Sequence, residues 1–369
     1  MITRTIAGAG LIASLLAASA GAVQAVPAAA DAAPSGTPDW QALLDGVVAG
    51  GAVAAIAEIR DRDRTWRGVS GTVRLDGSRP APANGRFRAG SVTKSFTAAT
   101  VLHLVGEGRL RLTDTVERWL PGLVDGGQRI TVRNLLQHTS GIPEYTTGMF
   151  DKWGIPEERH RTWAARELVE RVRDRPREFP PGTRFGYSNT NYVLLGMVIE
   201  SVTGRPYATE VRERILRPLG LRHTSLPGAA TRIPGPHAHA YVPVTKGGKT
   251  VPVDVTRFNP TMAGASGEII STTEDLNRFF RALFQGRLLL PAQLKEMKDL
   301  AAAKEYGLGL EVGSLPCGTA WGHGGGTHGY LTVAFSSADG SRQLALSMTP
   351  YAGDPEKAAL TLLTSALCH

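Results

Sequence analysis

Cysteine is scarce. The chain has two, Cys317 and Cys368, among 369 residues. That excludes an all-cysteine zinc site, and without a Cys-x-x-Cys pair it excludes a dithiol redox centre. Aromatic residues are also few, at 7%. No basic block interleaves with them, so nucleic acid is not an expected partner. After the first two dozen residues, charge interrupts every apolar run well short of the roughly 18 residues that a membrane span needs. No internal repeat is present, which excludes a solenoid. Negative charge is in deficit, with 33 Asp plus Glu against 41 Lys plus Arg, a formal net charge of +8. The excess is spread through mixed-sign segments such as Glu157-Glu158-Arg159-His160-Arg161. These read as solvated faces, and the overall balance suits an anionic polymer such as peptidoglycan.

The N-terminus reads as export machinery. Arg4 supplies a positive start, residues 7–22 are apolar and small, and Val23-Gln24-Ala25 resembles a small-x-small cleavage site. Gly8, Gly10, Ser14, Ser19 and Gly21 make this a poor permanent span. We expect residues 1–25 to be a signal peptide, 26–39 a flexible linker rich in Ala and Pro, and 40–369 one catalytic domain of a secreted protein. An exported chain meets oxidising conditions, so Cys317 and Cys368 are expected to pair. The bond would close a loop of 51 residues and restrict the unfolded chain by about 4 kcal/mol in the loop-entropy picture.

The pattern predicts strands at both ends of the mature chain. Gly51 to Arg60 and Thr65 to Gly71 read as a hairpin. Tyr306 to Val312, Gly329 to Ser336 and Gln343 to Thr349 read as three more strands, the last two joined at Ala338-Asp339-Gly340. Helices are predicted from Ser91 to about Gly106, Thr131 to His138, Trp163 to Arg173, Thr190 to Val202, Pro206 to Leu216, Thr273 to Gln285 and Asp354 to Cys368. The expected fold class is α+β: one antiparallel sheet built from N- and C-terminal strands and flanked by helices, with a mostly helical lobe inserted at about 107–262. A cleft between sheet and lobe is the natural site.

Ser91-Val92-Thr93-Lys94 is the one Ser-x-x-Lys in the chain. Residues i and i+3 share a helix face, so hydroxyl and amine can meet. At a helix N-terminus the serine also sits beside free backbone N–H groups. Taken alone, the pattern suits an ordinary helix cap with an exposed lysine better. Two further stretches supply the missing chemistry: Tyr187-Ser188-Asn189 at a helix entrance, and Gly322-His323-Gly324-Gly325-Gly326, whose bland reading is a flexible hairpin with a surface histidine. His237 and His239 lack a third ligand of matching spacing, so neither a metal nor any other cofactor is expected.

In order and chemistry the three stretches resemble the Ser-x-x-Lys, Tyr-x-Asn and Lys/His-x-Gly motifs of the penicillin-recognising serine hydrolases. The likeness is greatest to the Streptomyces-type D-alanyl-D-alanine carboxypeptidases and their D-peptidase relatives, and it runs from about Trp40 to the C-terminus. Leu135 to Gly141, Pro181-Gly182, Ser271 to Leu276 and Tyr306 to Gly309 share it. The resemblance implies a β-lactamase/transpeptidase-like fold and an acyl-enzyme on Ser91. Lys94 and Tyr187 become the proton-transfer pair, either able to take the serine proton. It assigns the oxyanion to the N–H groups of Ser91 and Gly326, an acyl-side amide to Asn189, and polarity near the leaving group to His323. The implied substrates are small peptides, amides or esters, with β-lactams as inhibitors.

The chain departs from that pattern where His323-Gly324-Gly325-Gly326 replaces His-Thr-Gly-Thr. Glu311 also stands where an arginine commonly follows the Tyr-Gly-Leu-Gly-Leu strand. Two hydroxyls and a cation that hold a free carboxylate are thereby lost, each charge-assisted bond being worth about 1.5–3 kcal/mol. Glu311 is expected to face the substrate and repel a carboxylate, so Gly324, Gly325, Gly326 and Glu311 set what Ser91 receives. The expected activity is that of a carboxypeptidase-like D-stereospecific peptidase or amidohydrolase. An esterase, a weak β-lactamase or a wall-binding protein are the alternatives.

Overall fold

A computed structural model of the protein describes residues 38–300 and 303–369. The expected signal peptide and nearly all of the expected linker lie outside the described residues.

Among the described residues ten strands form, six of them in one antiparallel sheet. They are β1 (Ala52–Asp61), β2 (Arg64–Gly71), β3 (Phe87–Arg88), β4 (Tyr241–Lys246), β5 (Lys249–Asp254), β6 (Ile270–Ser271), β7 (Glu311–Leu315), β8 (Gly318–Thr327), β9 (Tyr330–Ser337) and β10 (Arg342–Pro350). The main sheet runs β2-β1-β10-β9-β8-β7, so the N-terminal hairpin joins the C-terminal strands through β1 and β10. The fold is α+β.

Both faces of the sheet are covered, which the alternation of side chains along a strand requires of apolar residues at every position. Ala55, Ala57 and Ile59 of β1 and Leu344, Leu346 and Met348 of β10 turn to one face. There they meet α1 (Trp40–Ala49) through Leu44 and Val47, and α5 (Pro355–Cys368) through Leu362, Leu363 and Ala366. Each leucine so enclosed stabilises the fold by about 2 kcal/mol. On the other face, α4 (Thr273–Phe284) packs against β1, β9 and β10. Its Asn277 donates to Glu58 O at 2.9 Å, and Gln343 donates to Asn277 O at 2.9 Å. The cap of α4 is Thr272, which accepts from Asp275 N, rather than the expected Thr273. Cys317, in the turn between β7 and β8, is bonded to Cys368 at the end of α5.

The predictions miss in three places. Tyr306 to Leu310 is not a strand: Gly309 turns at φ +78° and β7 begins only at Glu311. The glycine run is not a loose hairpin but the interior of β8, because neighbours stand too close for a side chain. A Cβ on Gly322 would lie 2.0 Å from Ala334 O, and one on Gly325 2.0 Å from Ala89 O. The segment between 107 and 262 is less helical than expected. Apart from α3 (Asn189–Thr203), its helices are short, such as Val132–Leu136 and Ala165–Glu170. Pro121, Pro143, Pro156, Pro176, Pro180 and Pro181 interrupt it. Between Pro227 and Pro260, where Gly, Pro and polar residues suit either a long loop or a short hairpin, the hairpin β4–β5 forms.

Candidate active site

Ser91 stands at the join of two elements. A single 3-10 turn, Gly90–Val92, leads into α2 (Thr93–Gly106). Gly90 holds φ +54°, and a Cβ there would lie 2.7 Å from Gly326 O. Glycine alone combines that backbone with so close an approach, and it seats the Ser91 turn against β8. Thr93 Oγ1 fastens the turn by donating to Gly90 O at 2.7 Å and accepting from Ile269 N at 3.1 Å.

One turn along, Lys94 is fully buried. Its Nζ donates to Ser91 Oγ at 3.0 Å, Asn189 Oδ1 at 2.7 Å and Ser266 O at 2.8 Å. Burial lowers its pKa to about 7, against the opposing pull of Glu144 and Glu311. The neutral amine is therefore accessible at neutral pH. It keeps two protons for Asn189 and Ser266, and its lone pair then faces the Ser91 hydroxyl.

Tyr187 closes the other side. Its ring stacks on His138 with centroids 4.2 Å apart, and Lys94 Nζ lies 4.9 Å from the Tyr187 centroid. The Tyr187 hydroxyl is buried without a hydrogen-bond partner. Burial pushes its pKa well up, offset only in part by the Ser91 hydroxyl. A phenolate is thus disfavoured, and Tyr187 is a neutral phenol at neutral pH. His138 Nδ1 accepts from Ser188 N and Asn191 Nδ2, and burial keeps the ring neutral.

Asn189 begins α3 and is oriented by Glu144, a residue that motif spacing missed. Glu144 Oε2 accepts from Asn189 N at 2.7 Å and Asn189 Nδ2 at 3.0 Å. This turns Asn189 Oδ1 to Lys94. The Ser266 carbonyl was missed as well. A backbone acceptor leaves no mark on residue type, and a lone glutamate after Pro143 has no distinctive pattern.

Two expected roles change. His323 does not offer a free nitrogen to the cleft. Its ring is fully buried, with Nδ1–H donating to Gly324 O and Nε2 accepting from Tyr306 at 2.8 Å. Burial drives its pKa down to about 3, so it is neutral. Glu311 does not face substrate either. It is 3% exposed, and its Oε2 accepts from Gly324 N at 3.0 Å. Neither side chain lines the cleft beside Ser91: His323 is held by Tyr306 and Gly324 O, and Glu311 by Gly324 N.

A cleft of about 210 Å³ opens beside Ser91, Asn189 and Gly326. Tyr145, Phe150, Trp153, Val242, Phe258, Met262, His328 and Leu331 help line it, and no Lys, Arg, Asp or Glu does. A larger hollow of about 880 Å³ between Glu117 and Pro176 is open, is lined by mixed charge and contains none of these residues. Among the described residues, no cluster of His, Cys, Asp and Glu could hold a metal ion, and no helix is long and apolar enough to cross a membrane.

A buried lysine on a serine at a helix N-terminus, with a buried tyrosine and a glycine strand opposite, is acyl-transfer machinery on an α+β frame. Residues 40–359 match the model of the Beta-lactamase family. The chain belongs to that family, the penicillin-recognising serine hydrolases. It is 41% identical to a D-stereospecific amidohydrolase from Streptomyces sp., whose solved structure superposes with a TM-score of 0.80 over 90% of this chain and 99% of that one. It is 32% identical over 300 residues to esterase EstB of Burkholderia gladioli, 74% of each chain. It is 30% identical over 290 residues to penicillin-binding protein 4* of Bacillus subtilis, covering 74% of this chain and 63% of that protein. The chain thus spans under two thirds of that relative's length.

Proposed function

We propose that this protein is an exported, D-stereospecific amidohydrolase or peptidase that acylates Ser91 and prefers neutral amides and esters over free C-terminal acids. The observation that carries the preference is the cleft beside Ser91, whose lining has no charged side chain. A carboxylate brought there would lose its hydration without a cation to replace it. The apolar lining suits an apolar acyl side chain, and the D-stereospecific relative supports the stereochemistry. Export rests on the N-terminal pattern and the Cys317–Cys368 bond.

In the mechanism, neutral Lys94 takes the Ser91 proton as Oγ attacks the carbonyl. The N–H groups of Ser91 and Gly326 hold the oxyanion. Tyr187, kept as a phenol, gives its proton to the leaving amine or alcohol and is reprotonated with the proton that Lys94 took from Ser91, which leaves Lys94 neutral again. Water then hydrolyses the ester of Ser91.

The test compares a D-Ala-D-Ala peptide bearing a free carboxylate with its amide and methyl ester. The amide and ester are expected to lead in kcat/KM by roughly tenfold or more, about 1.4 kcal/mol. A preference for the free acid would overturn the reading. The match to EstB favours one second reading, an esterase on the same residues. Turnover of p-nitrophenyl esters without any amide cleavage would select it. Fluorescent penicillin that labels the parent and not Ser91→Ala would identify the nucleophile; labelling without turnover of any substrate would point to a binding protein.

A further inference from the structure

The β7–β8 ladder runs from Leu315 opposite Gly318 to Glu311 opposite Gly322, and ends there. β8 continues along β9 as far as Thr327. Backbone groups in an antiparallel ladder face alternate edges, so Gly324 and Gly326 turn their N–H groups away from β9, where no β7 residue stands opposite them. One of these amides is satisfied by Glu311, whose carboxylate reaches past the strand end to Gly324 N at 3.0 Å. Its other oxygen lies 3.4 Å from His323 Nδ1. The next outward amide, Gly326, borders the cleft beside Ser91. Holding a carboxylate 3% exposed for the sake of one glycine N–H is costly, and burial moves its pKa up to about 7. Packing alone would be served by an apolar side chain.

We propose that Glu311 is a positioning residue: its carboxylate replaces the missing strand partner at Gly324 and thereby holds the Gly326 N–H in place for the oxyanion. This rests on the reading of Gly326 as an oxyanion donor. A second effect follows from charge. Lys94, His323, Tyr306 and Tyr187 face Glu311, and Glu144, Tyr187, Tyr192, His138 and His323 also surround Lys94. A negative Glu311 holds the Lys94 pKa up, so removing the charge lowers it.

The experiment compares the parent with Glu311→Ala and Glu311→Gln, using p-nitrophenyl acetate turnover, thermal melting, and hydrogen exchange of residues 322–327. Glutamine keeps an oxygen for Gly324 N–H but has no charge. Glu311→Ala is expected to lose on the order of a hundredfold in kcat, as when an oxyanion donor is removed, with little change in KM and faster exchange in β8. Glu311→Gln is expected to recover roughly tenfold of that loss, to exchange like the parent, and to have the acid limb of kcat/KM at lower pH. Parent-like kcat in Glu311→Ala overturns the proposal, as does a folded Glu311→Gln no better than Ala. If Glu311→Ala does not fold, Glu311→Leu, which fills the space without an acceptor for Gly324 N–H, takes its place: parent-like kcat and parent-like exchange of residues 322–327 overturn the idea. If the parent turns over no ester, the functional reading fails on its own, and the exchange of β8 still decides: equal exchange in the alanine and glutamine variants refutes the positioning role.

Discussion

In the proposed mechanism, Lys94 sets the pH dependence of the Ser91 reaction. Its amine must be neutral to accept a proton, and its pKa lies at about 7 because burial outweighs the pull of Glu144 and Glu311. Activity that requires the deprotonated form rises with pH through about 7 and levels off above it. The pH profile of kcat/KM checks this; a rising limb near 10 would show that Lys94 keeps the ordinary acidity of a lysine and would overturn the expectation. That tyrosine gives a second expectation. Its hydroxyl is buried and has at most a weak contact with the Ser91 hydroxyl to lose, so Tyr187→Phe should change the melting temperature little. The same change removes the proton donor and should lower kcat on the order of 10²–10⁴-fold. Near-native turnover would take Tyr187 out of the mechanism.

Strand β8 and the Ser91 turn form one close-packed unit. A methyl on Gly325 would lie 2.0 Å from Ala89 O and 3.2 Å from Ser91 N, both backbone atoms. Gly325→Ala therefore has to part β8 from the Ser91 turn. It should cost about 1–3 kcal/mol of stability and reduce acylation of Ser91 by penicillin. Gly46→Ala is the control. It lies in α1 with nothing within 4 Å of the added Cβ, and alanine there should stabilise by about 0.5–1 kcal/mol. Denaturant melts of the two variants make the comparison, and equal effects would refute the close packing of β8 on the turn.

The molecule is held at one edge by the bond from Cys317 to Cys368, which ties the β7–β8 turn to the end of α5. The closed loop of 51 residues includes β8, β9, β10 and α5, so half of the sheet depends on it. Cys317→Ser with Cys368→Ser should lower stability by up to about 4 kcal/mol. The parent measured in reductant should match the double variant. Melting curves unaffected by either treatment would show that packing of α5 on the sheet suffices.

Residue order and local chemistry determined much of this protein. The Ser-x-x-Lys spacing, the Tyr-x-Asn turn, the terminal strands and most helix positions follow from the 3.6 and 2.0 periods and from capping. The cysteine pair is expected from the pattern of the N-terminus and the oxidising conditions that such a pattern implies. Tertiary structure decided the rest, because the deciding contacts join residues far apart in the chain. Lys94 acquires its altered acidity from burial, against the pull of Glu144 and Glu311, in a pocket completed by Asn189 and Ser266, 95 and 172 positions away. Glu144 becomes part of the site only when α3 is laid beside it. Glycines have no side chain to show an apolar pattern, so the strand character of β8 becomes visible only once Ala89 and Ala334 are seen to occupy the space of the missing Cβ atoms. Glu311 reads as a charge facing substrate in one dimension and is a buried strand cap in three, because β7 ends one ladder step before Gly324 needs a partner.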